Sequence, residues 1–293
     1  MKKLKLAVIA AAVTALGLLA VGSVSASAIE LDAVTQVRDL NSSHYSSPDV
    51  RVGTAQLKVP AKLINSTTYV SLKYFCEALS YCKVSFNPST RTATVSSDNM
   101  YITATHGANY ICANGRYLWT DNSVVILDDG RIYVPVRTLA KAYGVNVNWH
   151  AETRSVTVTG AVKPIMSGER FYKSDEVYWL SRIISAESRG EPLLGQIAVG
   201  NVVLNRVKSS SYPNTIYGVI FDTRYGVQFT PVANGTIYNT PYYLSVIAAK
   251  ICLEGETVSA TALYFLEPEK STSFWIVNNC TFEFGIGCHD FYR

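Results

Sequence analysis

An internal repeat constrains the fold of this 293-residue chain more than any other feature. The stretch "YVSLKYFCEALSYCKVSFNPSTRTATV" at 69–95 is echoed by "YVPVRTLAKAYGVNVNWHAETRSVTV" at 133–158. With one residue inserted near Tyr81, Tyr69 aligns with Tyr133, Val70 with Val134, Phe86 with Trp149, and Thr90-Arg91 with Thr153-Arg154. Such self-similarity marks one supersecondary unit used twice. Residues 72–80 and 136–143 carry helical spacing, with Leu72, Phe75 and Leu79 on one stripe. A short alternating strand follows in each copy, at 84–86 and 145–149, then a turn and a second strand ending at Val95 or Val158. Ahead of each helix, "INSTTYV" and "LDDGRIYV" read as a turn entering a strand.

The chain opens with "MKKLKLAVIAAAVTALGLLAVGSVSASA". Lys2, Lys3 and Lys5 form a positive segment, 6–22 an apolar one, and Ala26-Ser27-Ala28 a small-x-small cleavage site. This predicts a secretory signal peptide over 1–28, an uncleaved membrane anchor being the alternative. The protein is then exported and meets a membrane only through that segment. Residues 29–50 read as an N-terminal linker. Loss of three lysines with no acid takes the formal charge from +4 to +1. No basic run remains, which excludes a nucleic-acid partner. The 265 residues after position 28 suffice for two ordinary cores.

Six cysteines in an exported chain permit disulfides, and Cys76 with Cys82 and Cys280 with Cys288 are the short-loop candidates. The spacing of the cysteines is not that of a zinc knuckle, and His44, His106 and His150 are too scattered to share a face. Neither a metal nor a cofactor is expected.

The repeat resembles the small α+β module at the N-terminus of some copper amine oxidases, which occurs far more often on bacterial exported and wall-associated proteins. The resemblance covers about 51–160 and implies a non-catalytic module that holds the chain at the cell wall. Residues 161–172, "AVKPIMSGERFY", lack periodicity and contain Pro164 and Gly168, so they read as a linker.

Beyond it, "KSDEVYWLSRIISAESRGEP" predicts a helix, with Ser174 as N-cap and Asp175 and Glu176 in its first turn. Val177, Leu180 and Ile184 form an apolar stripe, and Glu187 falls on it in the last turn. Gly190 suits a left-handed cap, and Pro192 ends the helix. A carboxyl facing the core at the negative end of a helix dipole has its pKa raised twice over, as a proton donor near neutrality requires. A surface glutamate paired with Arg182 or Arg189 would have the same spacing. Glu191, just before Pro192, reads as an acid stabilising the start of the next helix, "PLLGQIAVGNVVLNRV". That helix is apolar nearly all round, so it is expected to be buried, with Gly195 and Gly200 allowing close approach. Asn205 and Arg206 read as capping or ion-pairing residues at its end.

Residues 184–221 resemble the catalytic domain of the SleB/CwlJ family of cell-wall hydrolases, the spore cortex-lytic enzymes. The resemblance rests on "AESRGEP", "GQIAVGNVVLNRV", "VQFTPV" (227–232), "ALYFLEP" (262–268) and "GIGCHDFY" (285–292), and it extends over 173–293. Ser188 and Thr230 depart from the family pattern. The resemblance implies a lysozyme-like, helix-rich catalytic domain with a small sheet, so the whole chain is expected to be α+β in two domains. It also implies cleavage of the β-1,4 bond between N-acetylmuramic acid and N-acetylglucosamine in peptidoglycan glycan strands. Glu187 takes the place of the general acid/base of a lytic transglycosylase, which needs no second carboxylate; Asp222, Glu254 and Glu283 stay open as one. Gln228, Tyr264, Trp275 and His289 become candidates for holding the glycan. The expected location is secreted, at the cell wall or spore envelope. The alternatives are an N-acetylmuramoyl-L-alanine amidase, for which a zinc site with a single histidine would be incomplete, and a non-catalytic wall-binding protein.

Overall fold

The computed structural model describes residues 45–224, 226–271 and 274–293. The expected signal peptide, most of the N-terminal linker and His44 lie outside the described residues. No helix among those described is long and apolar enough to cross a membrane.

The N-terminal half opens with β1 (Asp49–Val52), β2 (Ala55–Gln56) and β3 (Lys62–Ile64). The first stretch of the repeat then runs β4 (Thr67–Ser71), α1 (Leu72–Leu79), β5 (Lys83–Asn87) and β6 (Thr92–Ser96). A meander follows: β7 (Tyr101–Thr105), β8 (Tyr110–Ala113) and β9 (Arg116–Trp119), and then β10 (Val125–Ile126). The second stretch runs β11 (Ile132–Pro135), α2 (Val136–Tyr143), β12 (Asn146–His150) and β13 (Ser155–Thr159). Both stretches thus have the order strand, helix, strand, strand. The aligned arginines Arg91 and Arg154 both take left-handed backbone, at φ 51° and 49°, in matching turns. Strands β4 and β11 pair antiparallel, with Val70 opposite Val134.

Three sheets result, in the orders β12-β13-β1-β2, β10-β11-β4-β3 and β5-β6-β7-β8-β9. Their buried faces share one core built around Val70, Leu72, Phe75, Val134, Leu139 and Tyr143. Leu79, the third residue of the expected stripe, packs at its margin. The histidines of this half serve local structure. His106 Nδ1 accepts from the Ile126 N–H at 3.0 Å, and His150 Nε2 lies 2.9 Å from Thr157 Oγ1.

The stretch read as a linker is tied down along its length. The N–H groups of Lys163 and Ile165 donate to the carbonyls of Tyr143 and Ala142, and Gly168 donates to Asn114 at 2.7 Å. It ends in a short helix, α3 (Gly168–Phe171).

The C-terminal half is led by α4 (Ser174–Ser188) and α5 (Leu193–Lys208). The short helices α6 (Ile216–Ile220) and α7 (Thr230–Ala233) precede α8 (Tyr243–Leu253). Strand β14 (Tyr264–Leu266), helix α9 (Trp275–Asn279) and the hairpin β15 (Phe282–Ile286) and β16 (His289–Tyr292) complete it, in a sheet ordered β14-β16-β15. Helices α4, α5 and α8 pack around a second core of Leu180, Ile184, Val199, Val202 and Ile247. Gly200 lets them approach: a Cβ there would meet Cys252 Sγ at 2.6 Å and Ile184 Cδ1 at 2.9 Å.

Three local expectations change. Ser174 is the first residue of α4 and Lys173 takes the N-cap position, with no side-chain cap hydrogen bond. Gly190 is absent from the positive-φ residues, and α4 ends instead through Arg189 in right-handed helical backbone. Asn205 does not cap α5; it is buried and its Nδ2 donates to the Ser259 and Ala262 carbonyls, stapling the loop before β14.

The expected disulfides do not form, and all six cysteines are free thiols. Cys280 precedes β15 and Cys288 sits in the turn after it, so the five-residue strand holds them roughly 17 Å apart. A disulfide needs Cα atoms within about 7 Å. Cys76 faces the core from α1, where burial pushes its thiol up to about 12, while Cys82 lies beyond the helix end and is only partly buried.

The two halves meet at a dense joint. Arg116 on β9 makes a two-pronged ion pair with Glu254, Nε to Oε1 and Nη2 to Oε2, both at 2.7 Å. The Tyr172 hydroxyl donates to the same carboxylate at 2.8 Å, and the Arg116 guanidinium lies 3.4 Å over the Phe171 ring. Tyr110, Tyr117 and Trp119 of the meander pack against the second core.

Candidate active site

A cavity of about 1010 Å³ opens in the C-terminal half, and Glu187, Gln228, Tyr264, Trp275 and His289 all line it. These are the five residues singled out in the sequence, contributed by α4, the 226–229 loop, β14, α9 and β16.

Glu187 reaches the cavity because α4 is amphipathic: Leu180, Ile183 and Ile184 turn into the core, and the last turn brings residue 187 to the edge of that face. Burial pushes its carboxyl up to about 7, and the positive charge of Arg206 holds it from rising further. A carboxyl in that range keeps its proton near neutrality and can give it to a leaving oxygen.

Tyr264 is held by its neighbours. The Tyr212 hydroxyl donates to the Tyr264 hydroxyl at 3.2 Å, and the Tyr264 ring stands edge-on to Trp275 at 5.9 Å between centroids. Trp275, which lines the cavity, is 55 % exposed. Gln228 turns one N–H to the Gly226 carbonyl at 3.1 Å, bracing its own loop.

His289 is buried at the start of β16 beside the ring of Phe265, and burial lowers its pKa, which favours the neutral imidazole. Glu191 approaches from behind, with Oε1 3.8 Å from His289 Nδ1 and Oε2 accepting the Cys288 N–H at 3.0 Å. This corrects the reading of Glu191 as a residue of the helix start. Its side chain packs by Gly195 of α5, and its carboxylate accepts the N–H of Cys288 in the β15–β16 turn, where it braces the strand carrying His289. Gly287 makes room, since a Cβ there would collide with the Glu191 carboxylate.

Of the three acids left open as a second carboxylate, Asp222 lines the cavity, held well below the usual carboxylate range by the Arg224 guanidinium that binds it at 2.8 Å. Glu254 belongs to the joint. Glu283 accepts from the Ser259 and Thr261 hydroxyls.

Sequence reasoning missed Arg206 and Tyr212. Arg206 was read as a helix-end residue, yet it is only 5 % exposed and lines the cavity with Glu187. A second cleft, of about 750 Å³, is lined mostly by the N-terminal half, including Trp119 and Trp149, with Glu256 from the C-terminal half, and holds none of the five singled-out residues.

Two stretches of the chain match known protein families. Residues 50–158 match the family model of the copper amine oxidase N-terminal domain, and residues 190–292 match the cell wall hydrolase family. The second match begins three residues after Glu187. The spore cortex-lytic enzyme of Bacillus cereus is 44 % identical over 105 residues, which are 36 % of this chain and 39 % of that protein. That of Bacillus subtilis is 37 % identical over 105 residues, 36 % of this chain and 33 % of the relative. The matched region therefore spans well under half of these relatives. A solved catalytic domain of the germination-specific lytic transglycosylase SleB from Bacillus anthracis is 41 % identical, covering 42 % of this chain and 97 % of that one, with a TM-score of 0.38.

Proposed function

We propose that this chain, residues 190–292 of which match the cell wall hydrolase family, is an exported enzyme that cuts peptidoglycan glycan strands between N-acetylmuramic acid and N-acetylglucosamine. The observation that carries this reading is Glu187, a half-buried carboxyl with its pKa pushed up to about 7 on the wall of a cavity large enough for sugar residues. Glu187 protonates the bridging oxygen as the C1–O bond breaks, and the bonding electrons leave with that oxygen. The resulting carboxylate takes the proton of the muramyl 6-hydroxyl as O6 closes on C1. A 1,6-anhydro ring forms, and Glu187 is protonated again for the next cycle. Attack from within the sugar replaces the water and second carboxylate of most glycosidases.

Trp275 and Tyr264 offer ring faces to sugars, Gln228 an amide and His289 a neutral imidazole. The catalytic half takes the lysozyme-like arrangement. The N-terminal half is one small α+β unit used twice, supported by the matched element order and the paired left-handed arginines, and it holds the enzyme at the wall or spore envelope after a signal peptide has been removed.

Digestion of purified peptidoglycan by wild type and Glu187→Gln, with products weighed by mass spectrometry, tests the reading. Fragments ending in 1,6-anhydromuramic acid, absent with the variant, are expected. Products one water heavier would mean hydrolysis and direct attention to Asp222. Released peptides with intact glycans would overturn the bond assignment, and no release by wild type would overturn the activity.

A further inference from the structure

Arg206 is the most buried basic side chain among the described arginines and lysines of the catalytic half. It is 5 % exposed, and its Nε donates to the Leu263 carbonyl at 2.8 Å. Among the described residues its buried Nη1 has no hydrogen-bond partner, and no acid stands within ion-pair distance of the group. The guanidinium is instead ringed by three aromatic faces: Tyr212 at 5.1 Å, Phe229 at 5.2 Å and Tyr264 at 5.5 Å. Aromatic faces hold a cation in place without neutralising it. Burying an unpaired guanidinium is costly, and a purely structural arginine would be expected to have a carboxylate against it.

The cavity wall shows where that charge is directed. Its other ionisable groups are Tyr212, Asp222, Tyr264, Glu267, Lys270 and His289. Asp222 is bound by Arg224, Glu267 pairs with Lys270 at 2.9 Å, and His289 is backed by Glu191. On the turns flanking Glu187, Arg182 lies over Tyr178 and Arg189 over Tyr242. Glu187 is thus the carboxyl on this wall with neither an ion-pair nor a hydrogen-bond partner among the described residues, and Arg206 the matching cation.

We propose that Arg206 is the charge partner of Glu187, held apart while Glu187 carries its proton and stabilising the carboxylate that appears once the proton has been given up. This rests on the acid role assigned to Glu187 above and extends it. A single carboxyl that acts first as acid and then as base must be tolerable in both forms inside one desolvated site. An aromatic-caged cation close by, without a direct ion pair, meets that need: a contact pair would keep Glu187 ionised, and no cation would keep it permanently protonated. Arg206 acts through Glu187, so it is a positioning residue.

The test uses the full chain with Arg206→Met, whose apolar side chain fits among the three rings, and Arg206→Lys, which keeps the charge; thermal unfolding verifies that both fold. The Glu187 carboxyl is titrated directly by infrared difference spectroscopy against Glu187→Gln. Its midpoint is expected to move to higher pH in Arg206→Met and to stay near the wild-type value in Arg206→Lys. Turnover of peptidoglycan by Arg206→Met is expected to fall roughly 100-fold, with the alkaline limb of its pH profile displaced upward. A folded Arg206→Met whose Glu187 midpoint is unmoved overturns the proposal. A merely structural arginine would lower turnover and leave that midpoint alone. Because the titration needs no substrate, it decides this point even if wild type cleaves no glycan, an outcome that would overturn the proposed activity instead.

Discussion

Arg116 and Arg206 are both largely withdrawn from water, but the two regions around them treat the charge in opposite ways. At the joint, Arg116 meets Glu254 in a two-pronged pair, Tyr172 donates to the same carboxylate, and the Phe171 ring covers the guanidinium. Little of that charge remains to act on anything else. In the cavity, Arg206 has one backbone acceptor and three ring faces, and its charge is still felt at Glu187. A satisfied buried charge fixes geometry, whereas an unsatisfied one stores the capacity to respond when a neighbour changes its protonation.

Breaking the unsatisfied side should therefore alter chemistry and spare the fold. Glu187→Gln is expected to lower glycan cleavage by at least roughly 1000-fold, measured by fragment release, with the unfolding temperature unchanged or raised. Breaking the satisfied side should do the reverse. Glu254→Ala leaves Arg116 buried without its partner and is expected to cost about 3–5 kcal/mol in urea unfolding, while the protein that remains folded still cleaves.

A pH series sharpens the contrast. The Glu187 carboxyl is raised from 4.5 to about 7 in the fold. Between those values the unfolded chain gives up a proton that the native state retains. The stability linked to this group is therefore complete below about pH 4.5 and is lost as the pH rises through 7. Wild type and Glu187→Gln should be equally stable at pH 4, with the variant ahead by roughly 2–3 kcal/mol at pH 8, read from paired denaturant curves. Cleavage by wild type should decline above pH 7, because the proton to be donated is gone.

Two smaller tests bound the comparison. Gly287→Ala puts a methyl group against the Glu191 carboxylate in left-handed backbone, with φ +60°. It is expected to cost about 1–2 kcal/mol and to lower cleavage further than that loss explains, by shifting His289. Lys173→Ala removes an exposed pair with Glu176 and is expected to leave the urea unfolding midpoint unchanged.

The sequence was most legible where a periodicity reports local structure. The repeat at 69–95 and 133–158 showed its helices and hairpins because helical stripes and strand alternation differ within a few residues. Glu187 showed itself because its place on the stripe of α4 is a property of that helix alone. The meander of β7 to β9 was passed over, although Asn114-Gly115, at φ 50° and 79°, is a typical hairpin dipeptide. Its contact with the second core depends on packing between distant segments, which no local pattern encodes. Arg206 and Glu191 were misread for the same reason: each stands at a helix terminus where a local role suffices, and each takes its role from segments far away in the chain. The short-loop disulfide between Cys280 and Cys288 failed because proximity in sequence was taken for proximity in space, with an extended strand lying between them.

The notch at Gly287 links two sites that look independent in the sequence. The Glu191 carboxylate fills the space a side chain at 287 would occupy, and it also receives the Cys288 N–H. Positions 191 and 287 are therefore not free to drift separately. A lineage that shortens Glu191 relieves the restriction at 287 but loses the brace under His289. One that enlarges residue 287 first must lose the carboxylate to accommodate it. Descendants that keep the cavity intact should carry the acid and the glycine together, and those in which both have changed should be the ones whose cavity has been put to another use.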